Sequence, residues 1–293
     1  DILNRGTVKQ VLLQQGWPCK DEVPLKDGES FPVSLREETV AGAKFEIRDY
    51  QKDAAMSFVG EKQVGTGFGT IALPCGAGKT IVGLIIMSLL NVETVILTTN
   101  ISSVYQWKRE ILDKTNIKEE DIGIYSSTEK KIKPITIATY QILTWRENTV
   151  SEFIHFKIFK ERNWGLIIYD EVHLLPAPIF RVTAELQIVR RLGLTATLVR
   201  EDGHEGDIFS LVGPKRFDVP WKDLELKGWI AKAYCVEINI ELATNKEIEY
   251  AVSDMRQKYR IASENSNKIP LIKKLVAHHK DDSILVIGQY ISQ

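Results

Sequence analysis

The sequence predicts an α/β fold, a mainly parallel sheet covered by helices, on three observations. Between Thr70 and Thr197 short apolar segments alternate with helical ones. The apolar segments run almost without polar interruption, as strands buried on both faces do. A glycine-rich turn, Pro74 to Gly78, joins one such segment to a helical pattern. Alternation of this kind builds parallel sheets with helices on both faces, and their ligands bind at the carboxyl ends of the strands.

Residues 1–43 form a small N-terminal segment. A short amphipathic stretch (Val8, Val11, Leu12) is followed by Gly16-Trp17-Pro18 and a polar, turn-rich run to Arg36. It reads as a domain remnant or a linker and offers no chemistry. The main domain is expected over 44–230, with strands at Thr70–Leu73, Thr94–Thr98, Ile135–Thr139, Leu166–Tyr169 and Gly193–Ala196. The run Gly65-Thr66-Gly67-Phe68-Gly69 precedes a strand instead of following one, so it is a connector and not a dinucleotide fingerprint. Helices are expected after Gly78, over Ser102–Lys114 and over Pro178–Val189. The second of these opens on a capping serine, Ser102, and carries Val104, Trp107 and Ile111 on one stripe.

Trp221 to Trp229 reads as a short helix and turn, and Ala233–Leu242 as a strand of mostly alternating pattern. Ile248, Val252, Met255 and Tyr259 make a helix stripe, Pro270–His279 a further helix, and Ser283–Ile287 a buried strand. Residues 231–293 thus open a second domain, whose last strand starts a new alternation.

Composition excludes several classes. The 293 residues, 44% of them hydrophobic, leave room for about two globular domains at roughly 150 residues each. The longest apolar run, Ile81 to Leu90, is broken by Gly83 and Ser88 and falls short of the ~20 residues of a membrane span. No basic segment leads into an apolar one at the N-terminus, so no secretory signal is visible. Cys19, Cys75 and Cys235 are odd in number and scattered, which favours a reducing compartment over a disulfide framework or a zinc site. With 38 basic against 39 acidic side chains, any nucleic-acid binding must come from a local face. Basic runs exist at Lys130-Lys131-Lys133 and at Lys273-Lys274 with His278, His279 and Lys280. They are solvated faces or parts of a DNA path.

Leu73-Pro74-Cys75-Gly76-Ala77-Gly78-Lys79-Thr80 follows a strand and opens a helix. Glycines at 76 and 78 permit unusual φ and let backbone N–H groups approach phosphate oxygens, and the helix adds its positive end. Lys79 is a point charge for β- and γ-phosphates, and Thr80 a hydroxyl ligand for Mg²⁺. Leu73 stands where the general pattern has glycine, which points away from kinases and small GTPases. The competing reading is a plain glycine-rich strand–helix turn.

Leu166-Ile167-Ile168-Tyr169 runs into Asp170-Glu171-Val172-His173. A carboxylate at the end of a buried strand, Asp170, can hold the Mg²⁺ that bridges the phosphates. The next, Glu171, can orient and polarise the attacking water. An ordinary acidic strand-to-loop pair is the alternative. His173 takes meaning as a coupling residue only from these neighbours.

Together with Gly193-Leu194-Thr195-Ala196-Thr197, these motifs in this order resemble the first, RecA-like motor lobe of superfamily 2 helicases. The continuation Leu198-Val199-Arg200-Glu201-Asp202 narrows the resemblance to the XPB helicase family, as do Gly213-Pro214-Lys215, Gly228-Trp229-Ile230-Ala231 and the closing Ile284–Gln289. Ile142-Leu143-Thr144-Trp145 is similar to the prokaryotic branch. The resemblance runs from about Phe45 to the end. It implies a RecA-like P-loop NTPase lobe, a truncated second lobe with a thumb-like piece near Glu247–Asn265, and ATP with Mg²⁺ as cofactors.

The resemblance implies further roles. Arg48 and Gln51 would contact the adenine or support the phosphate loop, whose binding residues are Pro74, Cys75, Gly76, Ala77, Gly78, Lys79 and Thr80. Thr98, Thr99, Asn100, Gln106, Trp107, Thr139 and Tyr140 would lie along a DNA backbone, although Trp107 is equally a core residue and Thr139 a strand end. Thr195 and Thr197 would link ATP state to DNA grip, and Arg200, Glu201 and Asp202 would act in duplex opening. The implied function is ATP-driven unwinding of single-stranded, junction or duplex DNA with 3′-to-5′ polarity, in DNA repair. A monomer in the cytoplasm or nucleoid, with repair proteins such as a nuclease as partners, is expected. The family's arginine finger sits in a Gln-x-x-Gly-Arg segment that this sequence lacks, so weak hydrolysis is expected of the chain alone. Two other readings stand beside it: a double-strand translocase without unwinding, and a non-catalytic module that recruits a nuclease.

Overall fold

The computed structural model describes residues 27–60, 67–148, 153–175, 188–197 and 212–290, with 8, 11, 12, 15–17 and 179. The chain divides into two units, Asp1–Lys232 and Ala233–Gln293.

The first unit is built on a seven-stranded sheet. Its strands are β1 (Phe68–Ala72), β2 (Thr94–Thr98), β3 (Ile122–Tyr125), β4 (Ile135–Thr139), β5 (Leu166–Asp170), β6 (Arg190–Thr195) and β7 (Lys215–Asp218). Their order is β3-β4-β2-β5-β6-β1-β7, and every pairing is parallel. The α/β class with a parallel, helix-covered sheet is therefore borne out. Successive residues of a strand face opposite sides, and the two cores follow that period. Ile96 and Ile168 join one cluster with Val82, Leu84, Val104 and Trp107, whereas Val95, Leu97, Ile167 and Tyr169 join a second with Tyr140 and Phe159.

Three longer helices pack on the first cluster: α1 (Asp49–Val59), α2 (Lys79–Leu90) and α3 (Ile101–Lys114). The buried stripe of α3 is Val104, Trp107 and Ile111, as the spacing predicts. Its cap is Asn100 instead of Ser102: the Asn100 carboxamide oxygen accepts from Ser103 N at 2.9 Å. Short helices α4 (Tyr140–Leu143), α5 (Ile158–Glu161) and α6 (Trp221–Leu226) complete the unit. Residues 27–48 run over the lobe. Val33 is buried in the first cluster, and Phe31 N bonds Asn91 O at 3.0 Å.

Three elements escape the sequence pattern. β3 is four residues interrupted by Gly123, too short for a period to declare itself, and α1 mixes buried Gln51 among its apolar positions. β7 reads Lys-Arg-Phe-Asp; charge of this kind blunts a sheet edge against further pairing. β1 begins at Phe68, inside the expected connector, and β6 at Arg190. The helix expected over 178–189 lies almost wholly outside the described residues.

In the second unit the expected helix stripe splits into α7 (Glu247–Val252) and α8 (Met255–Ser263), because Asp254 caps a new start by accepting from Gln257 N at 2.8 Å. A further helix, α9, spans Lys268–His278. Neither expected strand forms there: 233–242 and 283–287 have no ladder partner, and Leu285 is 83% exposed instead of buried. A strand without a neighbour leaves its backbone groups to water. Among the described residues no helix is long and apolar enough to cross a membrane.

Candidate functional site

The turn after β1 is tied down before it curls. Leu73 N donates to Thr195 O at 2.9 Å, fixing the start of the turn to the end of β6. Gly76 (φ 79°) and Gly78 (φ 81°) then take left-handed backbone, and Gly78 is the cap of α2. A side chain at 78 would be both strained and blocked, since a Cβ would lie 2.5 Å from the Gln51 amide nitrogen. That amide holds the loop from outside: Gln51 Nε2 and Tyr50 Oη both donate to Ala77 O, at 3.1 and 2.7 Å. Gln51 Oε1 in turn accepts from Arg48 N at 3.0 Å. The Arg48 guanidinium stacks 4.7 Å above the Trp229 ring and donates to Tyr50 Oη at 3.0 Å.

β5 delivers the carboxylates. Trp107 Nε1 donates to Asp170 Oδ2 at 2.9 Å, and Tyr140 Oη donates to Asp170 O at 2.8 Å. Burial pushes the Asp170 carboxyl above its usual range; the indole bond opposes that and the Glu171 charge adds to it. Glu171 itself sits in left-handed backbone, φ 51° and ψ 55°, which costs a residue with a side chain about 1–2 kcal/mol. Strain of this size at one carboxylate is a feature of functional sites. The bend aims Glu171 Oε1 at Lys79 Nζ, 3.1 Å away, and places Oε2 3.5 Å from His173 Nδ1. That Oε2 is buried without a hydrogen bond.

His173 Nδ1 lies 2.9 Å from Thr195 Oγ1. The Thr195 hydroxyl donates to Thr197 O, so the proton between His173 and Thr195 is assigned to the imidazole. Lys79, Glu171, His173 and Thr195 therefore form one chain of polar contacts from the phosphate loop to the end of β6.

Other expected residues separate into exposed and supporting groups. Asn100 and Gln106 are exposed and Thr99 is half-buried. Thr98 is buried and donates to Asn100 O at 3.3 Å, and Thr139 Oγ1 accepts from Ile142 N as the cap of α4. Trp107 and Tyr140 are 1% and 3% exposed. Both side chains bond Asp170, which gives Trp107 its core reading and adds a supporting role for Tyr140. Arg200, Glu201 and Asp202 fall outside the described residues.

The site fits a nucleoside triphosphate. The nearest atom to a Cβ built on Gly76 is Ile230 Cγ2 at 4.0 Å, so the loop is open on that side. A cavity of about 490 Å³ adjoins it, lined by Pro74, Cys75, Thr197, Asp218 and Trp221 among others. Thr80, in the first turn of α2, and Asp170 carry the oxygens a divalent cation takes.

Residues 44–200 match the family model of the type III restriction enzyme, res subunit. The chain belongs to that family. It is also 50% identical over 289 residues to "DNA 3′-5′ helicase XPB" of Mycobacterium tuberculosis, covering 99% of this chain and 50% of the relative. The protein of the same description in Kineococcus radiotolerans matches at 50% identity with the same coverage. A Schizosaccharomyces pombe relative, "General transcription and DNA repair factor IIH helicase/translocase subunit XPB", is 30% identical over 97% of this chain and 36% of its own length. The chain thus spans about half or less of the curated relatives it matches. Among solved structures, T4 UvsW aligns with TM-score 0.50 and 15% identity, covering 96% of this chain and 56% of that one, a likeness of fold. The resemblance to XPB-type superfamily 2 helicases, and with it the RecA-like lobe, is borne out.

Sequence reasoning passed over Tyr50, Trp229 and the supporting roles of Trp107 and Tyr140. Tyr50 had a local signal, since it stands between Arg48 and Gln51. Trp229 meets Arg48 across 181 positions of sequence, which no local pattern encodes.

Proposed function

We propose that this chain is the ATP-binding lobe of a DNA helicase or translocase of the XPB type, coupling ATP hydrolysis to movement along DNA in repair. The observation that carries the reading is the polar chain Lys79–Glu171–His173–Thr195. Lys79 is paired with Glu171. To meet β- and γ-phosphates its ammonium must leave that carboxylate, and the backbone N–H groups of Gly76 to Lys79 cradle the same oxygens. Glu171 is then released to orient and polarise the water that attacks the γ-phosphorus. Asp170 and Thr80 would hold Mg²⁺, which neutralises phosphate charge when bound.

A change of partner at Glu171 is felt by His173 and hence by Thr195 and Thr197, at the carboxyl edge of the sheet. On that edge Thr99, Asn100, Gln106 and Thr139 would meet the DNA backbone, with Arg200, Glu201 and Asp202 acting in duplex opening. Polarity of 3′-to-5′ follows the bacterial relatives, both described as DNA 3′-5′ helicases. Translocation without unwinding is the second reading, favoured by the fission-yeast relative's description as helicase/translocase. Without a Gln-x-x-Gly-Arg segment the chain alone should turn over slowly, because such an arginine contributes about 10³–10⁵ in rate where measured for GTPases.

The test is DNA-stimulated ATP hydrolysis by this chain and by the full-length gene product, with Lys79→Ala as the blank in each. Stimulated turnover by the longer protein is expected. ATP binding without turnover in either would overturn the motor reading and leave a recruitment module. Strand displacement at matched hydrolysis rates separates unwinding from translocation.

A further inference from the structure

A second cavity, of about 570 Å³, lies away from the phosphate loop and is lined by Tyr125, Lys130, Ile132, Ile154, His155, Lys157 and Glu161. Its position follows from the topology. In a parallel sheet all carboxyl ends share one edge, and in sheet order those ends are Tyr125 (β3), Thr139 (β4), Thr98 (β2) and Asp170 (β5). Tyr125 pairs in register with Ala138, and Thr139 with Thr98. The cavity therefore continues the row of strand ends one strand beyond Thr139.

Its chemistry is aromatic and cationic. The Tyr125 and His155 rings meet edge-on at 5.6 Å, with Tyr125 Oη 2.9 Å from His155 Nδ1. Trp145, half exposed, stands at the rim with its ring 5.9 Å from that of His155. Lys130 and Lys157 both act electrostatically on His155, whose pKa burial and these two charges hold below its ordinary value. Among the described residues neither ammonium is in an ion pair. Glu161 is the one acidic lining residue, so with His155 neutral the lining carries a net positive charge. Two ammoniums lining one cavity beside a half-exposed indole match a ligand that is anionic and has a π-face.

We infer that this cavity, with Trp145 at its rim, receives one unstacked base of a single DNA strand and the phosphates flanking it. Lys130 and Lys157 take the phosphates, and the base stacks on Trp145. Stacking platforms combined with a basic groove are the usual means of holding single strands without regard to sequence. The inference rests on the DNA reading above, and extends the strand path from Thr99 and Thr139 to the edge of the sheet.

The experiment measures affinity of the full-length protein for an oligothymidylate over a salt series, for wild type, Lys130→Gln/Lys157→Gln and Trp145→Ala. Each phosphate contact contributes about 0.7 to the slope of log affinity against log salt for single strands. The double variant is expected to lose about 1.4 of slope if both contacts are made. Trp145→Ala should weaken binding about tenfold at every salt concentration, leaving the slope intact. A parallel titration with thymidine monophosphate distinguishes a strand from a free nucleotide. Wild-type strand binding with unchanged slope and unchanged Trp145→Ala affinity would overturn this site alone. Saturable binding of the monophosphate, lost in the double variant while strand affinity is untouched, would overturn it in favour of a small-molecule site. No wild-type strand binding at low salt would overturn the DNA reading itself, and this site with it.

Discussion

Lys79 Nζ and Glu171 Oε1 are 3.1 Å apart, so the cation of the phosphate loop and the carboxylate proposed to activate water are paired with each other. The two groups have different expected roles, and single variants separate them. Lys79→Ala removes the phosphate contact and should weaken ATP binding at least tenfold. Glu171→Gln keeps the shape, releases Lys79 and removes the base. It should bind ATP as tightly as wild type or more so, while hydrolysis falls by about 10²–10⁴. Nucleotide titration and phosphate release, measured on the same preparations, check both. Equal loss of binding in the two variants would show that the pair is structural.

Trp107 and Asp170 offer a test of support from beneath the site. A Cβ on Gly83 of α2 would lie 2.6 Å from Trp107 Cη2. Gly83→Ala must therefore push the indole toward Asp170 or break their 2.9 Å bond. Overpacking of this kind costs about 1–3 kcal/mol. The expected outcome is a lower melting temperature with a raised Mg²⁺ requirement for hydrolysis. Trp107→Phe, which loses the donor but keeps much of the packing, should raise the Mg²⁺ requirement with a smaller effect on melting.

How much of this was legible in the sequence depended on the range of the interaction. β2 and β4 were readable to the residue, because five consecutive buried positions have no other use in a parallel sheet. The phosphate loop and Asp170-Glu171 were readable because spacing within one turn dictates their chemistry. β3 and β7 were not: one is too short, and the other is charged as an edge strand should be. The stripe from Ile248 to Tyr259 had a helical period that Asp254 interrupts, a capping choice that apolar spacing does not carry. Trp107 posed the hardest case. Its place on the buried stripe of α3 was clear, yet its bond to Asp170 joins positions 63 apart.

His155 gives the fold a definite dependence on pH. Burial, then the charges of Lys130 and Lys157, hold its pKa below the ordinary value. In the unfolded chain a histidine titrates near 6.5. As pH falls through that value the unfolded chain takes up a proton that the folded one still refuses, so stability drops until the folded pKa is reached. Melting temperature should accordingly decline as pH falls below about 6.5, and the decline should be shallower in His155→Gln. Parallel curves for the two proteins would mean that His155 does not contribute.

Cys75 is exposed and lines the cavity beside the phosphate loop, next to Gly76. An alkyl group on its sulfur would occupy space into which a nucleotide must come, since the loop's backbone has to face phosphate oxygens closely. Treatment with iodoacetamide is expected to weaken ATP binding by tenfold or more, and prior saturation with ATP to protect the thiol. Cys235, also exposed but in the second unit, provides the internal comparison. Its modification, followed by peptide mass, should proceed at the same rate with and without nucleotide. Cys75→Ser should bind ATP and lose the sensitivity. Unchanged ATP affinity after complete modification at Cys75 would place the phosphates elsewhere than on this loop.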